Sequence, residues 1–104
     1  MKEDIFYLLS TLRNNGGFTI KKYNIVSYKT GWQVATDGIE TKDIEVAKKA
    51  IESYNGTCGV WLADGVYYVD CCKRIHTKKQ ALEIGRTHKQ ISIFGWARGN
   101  LAYC

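Results

Sequence analysis

Apolar residues recur along this chain with two different periods, and the switches between them mark its elements. Within residues 3–14, Ile5, Leu8, Leu9 and Leu12 follow the i, i+3, i+4, i+7 spacing of an amphipathic helix, and Asn14-Asn15-Gly16-Gly17 ends it. A second helix is predicted over 43–54. Asp43 caps it, Ile44, Ala47, Ile51 and Tyr54 form one stripe, and Asn55-Gly56 stops it. A third is predicted over 77–89, where Thr77-Lys78-Lys79-Gln80 has capping-box spacing and Ala81, Ile84, Gly85 and His88 make the inward stripe.

Elsewhere the period shortens to two. Gly59–Ala63 and Val66–Asp70 flank Asp64-Gly65, the signature of a two-residue type I′ hairpin, because both turn positions need positive φ. Ile25–Lys29 and Trp32–Thr36 flank Thr30-Gly31, and Ile91–Ala97 and Asn100–Tyr103 flank Arg98-Gly99, so two further hairpins are expected. Phe18–Tyr23 is an extra segment with strand character. The turn glycines Gly31, Gly65 and Gly99 stand 34 residues apart, and Ala47/Ala81 and Ala63/Ala97 share that offset. These signals predict a single α+β domain over 1–104. It has an antiparallel sheet of about six strands, with three helices on one face, built from three helix-hairpin units.

Counting pairs across Asp64-Gly65 separates the two faces of that hairpin. Cys58, Val60, Leu62, Tyr67, Val69 and Cys71 read as the core face. Gly59, Trp61, Ala63, Val66, Tyr68 and Asp70 form the other, which sets Trp61 beside Tyr68 on a surface the helices are not required to cover.

Composition narrows the class. With 45% hydrophobic and 24% charged residues, 104 residues can bury a core without staples. Met1-Lys2-Glu3-Asp4 has no basic and apolar leader pattern, and no apolar run is long enough to cross a membrane, so a cytoplasmic location is expected. In that compartment Cys58, Cys71, Cys72 and Cys104 are expected as free thiols, although Cys58 and Cys71 face each other at a non-hydrogen-bonded pair that could accept a disulfide.

The candidate chemistry is thin. A structural zinc site draws on cysteine or histidine pairs with two to four residues between them, whereas Cys71 and Cys72 are adjacent and Cys58 and Cys104 stand alone. His76 and His88 lack the context of a general base, Asp64 and Asp70 read as turn and strand-end residues, and Gly16-Gly17 lacks the lysine of a phosphate-binding loop. No enzyme activity, metal or cofactor is expected.

Charge placement says more. The net charge is +5, and the last third holds Lys73, Arg74, Lys78, Lys79, Arg86, Lys89 and Arg98 against Glu83 alone. Lys73, Arg74, Lys78, Lys79, Arg86 and Lys89, taken with Trp61 and Tyr68, form a candidate surface for nucleic acid or for an acidic protein face. A solvated helix face on a mildly basic protein accounts for the same cations.

The run Gly59-Val60-Trp61-Leu62-Ala63-Asp64-Gly65-Val66-Tyr67-Tyr68-Val69-Asp70, with Ala81-Leu82, Gln90–Phe94, Gly16-Gly17-Phe18-Thr19 and Gly31-Trp32-Gln33-Val34, resembles small uncharacterised proteins of phages and prophages. Cys71-Cys72 after the strand, and the lack of an aspartate after Phe94, depart from that pattern. The resemblance implies a protein that binds a host protein or ribonucleoprotein, such as an anti-defence inhibitor of the anti-CRISPR kind that blocks its target sterically. A nucleic-acid-binding module is the alternative expectation, and a homodimer through the aromatic face is a third.

Overall fold

In the computed structural model, which describes residues 2–104, every strand joins one antiparallel sheet. The elements are α1 (Ile5–Ser10), β1 (Gly17–Lys21), β2 (Asn24–Ile25), β3 (Trp32–Thr41), α2 (Ile44–Ser53), β4 (Thr57–Ala63), β5 (Val66–Ile75), α3 (Lys78–Thr87), β6 (Ser92–Gly95) and β7 (Asn100–Tyr103). The fold is therefore α+β, with seven strands where about six were expected. Their spatial order is β2-β1-β4-β5-β3-β6-β7.

The 34-residue period is real but its frame differs from the sequence expectation. Offsetting β3 (Trp32–Thr41) by 34 lands on β5 (Val66–Ile75), and the same shift carries α2 onto α3. The repeated unit is thus strand-helix-strand, β3-α2-β4 and then β5-α3-β6, each unit opening just after a positive-φ glycine. The central strand β5 pairs with both β3 and β4, which are therefore parallel to each other, and β3 likewise separates β5 from β6. This is the split β-α-β connectivity of ferredoxin-like folds, widened by the β1-β2 hairpin on one side and by β7 on the other.

The expected hairpin around Thr30-Gly31 does not form. Residues 26–31 instead leave β2 and run across the sheet, while Asn24-Ile25 pairs back onto Ile20-Lys21 around Lys22, whose φ is 57°. Tyr28 anchors that crossing: its ring meets Trp96 edge-on at 5.4 Å, and its hydroxyl lies 3.2 Å from Thr57 Oγ1. Asp64-Gly65 does make the expected tight turn, with φ of 51° and 77° and the predicted pairs Cys58↔Cys71 and Trp61↔Tyr68. The last hairpin is wider than expected, since Gly95 pairs with Asn100 and four residues form its loop.

Helix signals read well at the caps and less well in length. Asp43 accepts from the Glu45 amide and Thr77 from the Gln80 amide, so α2 and α3 start where predicted. The first helix is much shorter than 3–14. Thr11 Oγ1 donates to the Tyr7 carbonyl at 2.7 Å and Ser10 Oγ to the same oxygen, and these bonds compete with continuing the ladder. At the other end of the chain, α3 stops before His88, which serves as an exposed C-cap, and Lys89 turns away with φ 56°. His88 is therefore not on the inward stripe.

All three helices lie over one face. Residues directly opposite in an antiparallel ladder share a face, so Ile20, Cys58, Val60, Val69, Ile75, Trp32 and Val34 point the same way. Around the first four of these, Ile5 and Leu9 of α1 and Ala47 and Ile51 of α2 close one core. Over Val34, Ala81 of α3 and Ile93 of β6 close a second.

Candidate binding face

No helix covers the other face of the sheet. Across its middle β4 contributes Gly59, Trp61 and Ala63, β5 contributes Val66, Tyr68, Asp70, Cys72 and Arg74, and β3 contributes Gln33, Ala35, Gly38 and Glu40. A bulge at Thr36 sets the last pair. Ala35 opposes Cys72 but Asp37 opposes Cys71, so the extra residue flips the parity and brings Gly38 and Glu40 round to this side.

Asp70 is the hub of the surface. Both of its cross-strand neighbours are glycine, Gly59 on β4 and Gly38 on β3. A Cβ at Gly38 would lie 2.9 Å from Asp70 Oδ1, so the glycine is what leaves the carboxyl room. Two hollows meet there. One, of about 370 Å³, is walled by Trp61, Ala63, Tyr68 and Asp70. The other, of about 510 Å³, runs from Trp61 past Gly59 and Gln33 to Phe94, Trp96 and Leu101. Trp61 is 46% exposed, and Leu101 on β7 is also exposed. Gly17, opposite Trp61 on β1, lets the indole lie against the strand, since its Cβ would come 3.1 Å from the ring.

The face is anionic at its centre, where Asp70 is exposed on the side of the sheet that Glu40 shares. Partial burial raises the Asp70 carboxyl above its ordinary value, and the nearby Glu40 carboxylate raises it further. Among the described residues Asp70 has no ion-pair partner; the one salt bridge joins Lys48 to Glu52 on α2. Arg74 is the only cation that β3, β4 and β5 place on this side, and it is engaged elsewhere. Its Nε and Nη2 donate to the Thr30 carbonyl and hydroxyl at 3.0 and 3.1 Å, and its guanidinium stacks 4.7 Å from the Tyr28 ring centroid. Two polar atoms at the surface's wall, Gln33 Oε1 and Trp96 Nε1, are buried with no hydrogen-bond partner.

The residues singled out from sequence fall on two sides of the sheet. Trp61 and Tyr68 sit together on the helix-free face, as the pair counting placed them. Lys79, Arg86 and Lys89 are exposed on or just after α3, over the opposite face. Lys78 reaches back to lie 5.7 Å over Trp32, and Lys73 opposes Val34 on the helix-covered side. Of the six cations only Arg74 shares a face with the two aromatics. The sequence reading missed Gln33, Gly38 and Glu40, and it took Asp70 for a strand end. Which strands flank β5 is a long-range fact, and no local signal in the sequence carries it.

The thiols are free, and the sheet holds two of them protonated. Burial is the largest cause in each case and pushes Cys58 and Cys72 up to about 12; the Cys71 thiol is raised as well. Among the described residues no three His, Cys, Asp or Glu side chains gather as a metal site, and no helix is long and apolar enough to cross a membrane. Neither a known protein family, nor a curated protein, nor a solved structure matches the chain.

Proposed function

We propose that this chain is a non-catalytic binding protein whose working surface is the helix-free face of its sheet. As the resemblance to phage and prophage proteins implies, it acts by occupying a host protein or ribonucleoprotein and blocking it sterically. The observation that carries this reading is the trough around Asp70. The chain puts glycine on both sides of a carboxylate, stands Trp61 half-exposed beside it, and leaves this part of the sheet without a covering helix, the 26–31 crossing lying over Thr57 instead. An uncovered aromatic patch rimmed by polar groups is the usual mark of an interaction site.

Binding is favoured over catalysis by the state of the reactive groups. The buried thiols are held protonated, and both histidines are exposed at the two ends of α3. The alternative, a nucleic-acid-binding module, has less support. On the open face the carboxylates of Asp70 and Glu40 would meet phosphates with repulsion, and the α3 cations lie across the sheet from the rings that would stack bases.

The test is capture from a lysate of the bacterial host, with tagged wild-type protein and a Trp61→Ala variant, each split into nuclease-treated and untreated halves. A stoichiometric protein partner that survives nuclease and is lost with Trp61→Ala is the expected result. Partner retention by the variant would move the working surface elsewhere. Recovery of nucleic acid alone would replace the reading with its alternative, and sedimentation of the purified chain would reveal a homodimer that occupies the face itself.

A further inference from the structure

We propose that the trough on the helix-free face is a receptor for an arginine side chain, presented by a segment of the partner protein. The inference rests on the reading of that face as the working surface and specifies what the surface recognises. Asp70 supplies an acceptor pair with room around it, because Gly38 and Gly59 flank it on the neighbouring strands. Glu40 opposes Tyr68 and adds a second negative charge at the same end. Trp61 and Tyr68 wall the hollow that Asp70 closes, and a flat cation gains from the face of an indole or phenol ring.

The charge pattern points to a cation from outside. The protein carries fifteen lysines and arginines against ten acids, yet the carboxylate at the centre of its open face is unpaired among the described residues. Arg74, on the same strand, is withheld by Thr30 and Tyr28. An incoming guanidinium would find the positions that an internal salt bridge would otherwise fill.

Guanidinium fits better than ammonium for a separate reason. Gln33 Oε1 is a buried acceptor with no donor, and Gln33 and Asp70 line the same hollow of about 270 Å³. A guanidinium offers five N–H groups in a plane, enough for a two-pronged pairing with a carboxylate and a further bond to an amide oxygen, while its face remains free to stack. Ammonium is a compact, strongly hydrated charge that makes no such planar set.

The experiment is a titration followed by amide and indole NMR shifts. The probes are a blocked pentapeptide of alternating glycine and arginine, its citrulline counterpart of the same shape without the charge, and its lysine counterpart. The arginine peptide should shift the Trp61 indole and the amides around Tyr68, Asp70 and Gln33, with at least about tenfold weaker binding for the other two. Asp70→Asn should lose a similar factor while keeping a dispersed, folded spectrum. Equal binding of arginine and citrulline peptides, equal binding of the lysine peptide, no shifts at millimolar arginine peptide, or shifts confined to another surface would each overturn the proposal. So would saturable binding of a single-stranded oligonucleotide in the trough. If the captured partner is lost with Trp61→Ala but kept with Asp70→Asn, the arginine receptor falls and the face remains the working surface. If Trp61→Ala keeps the partner, the broader reading falls first.

Discussion

Asp70 has glycine on both sides and no ion-pair partner among the described residues, so partial burial and the Glu40 carboxylate act on its carboxyl with no ion pair to offset them. Its folded-state pKa therefore lies above the unfolded value. Between the two values the folded chain holds the proton more tightly, and stability falls as pH rises through that window. Asp70→Asn removes the charge. The variant should melt at a higher temperature than wild type at pH 7, and the advantage should shrink as pH drops toward the ordinary carboxylate value. Melts from pH 3 to 8 check this, and a variant less stable at pH 7 would show that the carboxylate has a stabilising partner. Such a trade, stability given up at a position kept for binding, is the pattern expected of a functional site. The thiols give a second residue-scale prediction. Cys58 and Cys72 are buried with pKa pushed up to about 12, so a thiol reagent at pH 8 should label Cys71 and Cys104 first. Peptide mapping after brief labelling would read the order, and full labelling should require denaturant.

Gly85 sits in the middle of α3, where replacing glycine by alanine ordinarily stabilises by about 1 kcal/mol. Here the sign should reverse. An added Cβ would stand 2.8 Å from Cys104 Sγ and 3.2 Å from Ile93 Cγ2, inside the second core. Overpacking of this kind costs about 1–3 kcal/mol, and Cys104→Ala in the same chain should return part of it. Urea unfolding of the two single variants and the double variant checks the coupling. At the start of the same helix, Thr77→Ala should cost about 1 kcal/mol through loss of the bond to the Gln80 amide. The starts and inward stripes of α2 and α3 were legible in the sequence because cap and stripe lie within one helix length, and α2 also has its stop at Asn55-Gly56. So was the β4-β5 hairpin, whose Asp64-Gly65 turn fixes its register locally. The first helix was overcalled because the Leu12 repeat continues while the side chains of Ser10 and Thr11 turn inward onto a backbone carbonyl. The reach of β3 to Thr41 was missed because its partner is β5, far along the chain, and because the Thr36 bulge breaks the alternation that would have announced a ten-residue strand. For the same reason the candidate site was half legible. Trp61 and Tyr68 came from one hairpin, whereas Gly38, Glu40 and Gln33 join them only through the long-range pairing of β3.

On the scale of the whole molecule the sheet acts as a partition. Both cores and all three helices occupy one side, and with them lie the exposed cations of α3; the aromatic and acidic trough occupies the other. A net charge of +5 therefore does not describe either surface alone. It follows that the chain should show two separable kinds of association. Polyanions such as single-stranded DNA should be held weakly by the helix side, with affinity that falls steeply with salt, since each neutralised phosphate contributes about 0.7–0.9 to the log–log slope. That retention should be indifferent to Trp61→Ala and should drop, with a shallower slope, in a Lys79→Gln/Arg86→Gln variant. Binding through the trough should show the opposite dependence, lost with Trp61→Ala and unmoved by the α3 pair. Elution of both variants from a polyanion column over a salt gradient, beside their capture of the protein partner, measures the two at once. If Trp61→Ala weakens polyanion retention as much as the α3 variant does, the two sides cooperate on one nucleic-acid ligand and the partition has no functional meaning. Independent responses would mean that the strongly basic third of the chain sets solubility and non-specific attraction, while the aromatic and acidic trough opposite carries recognition.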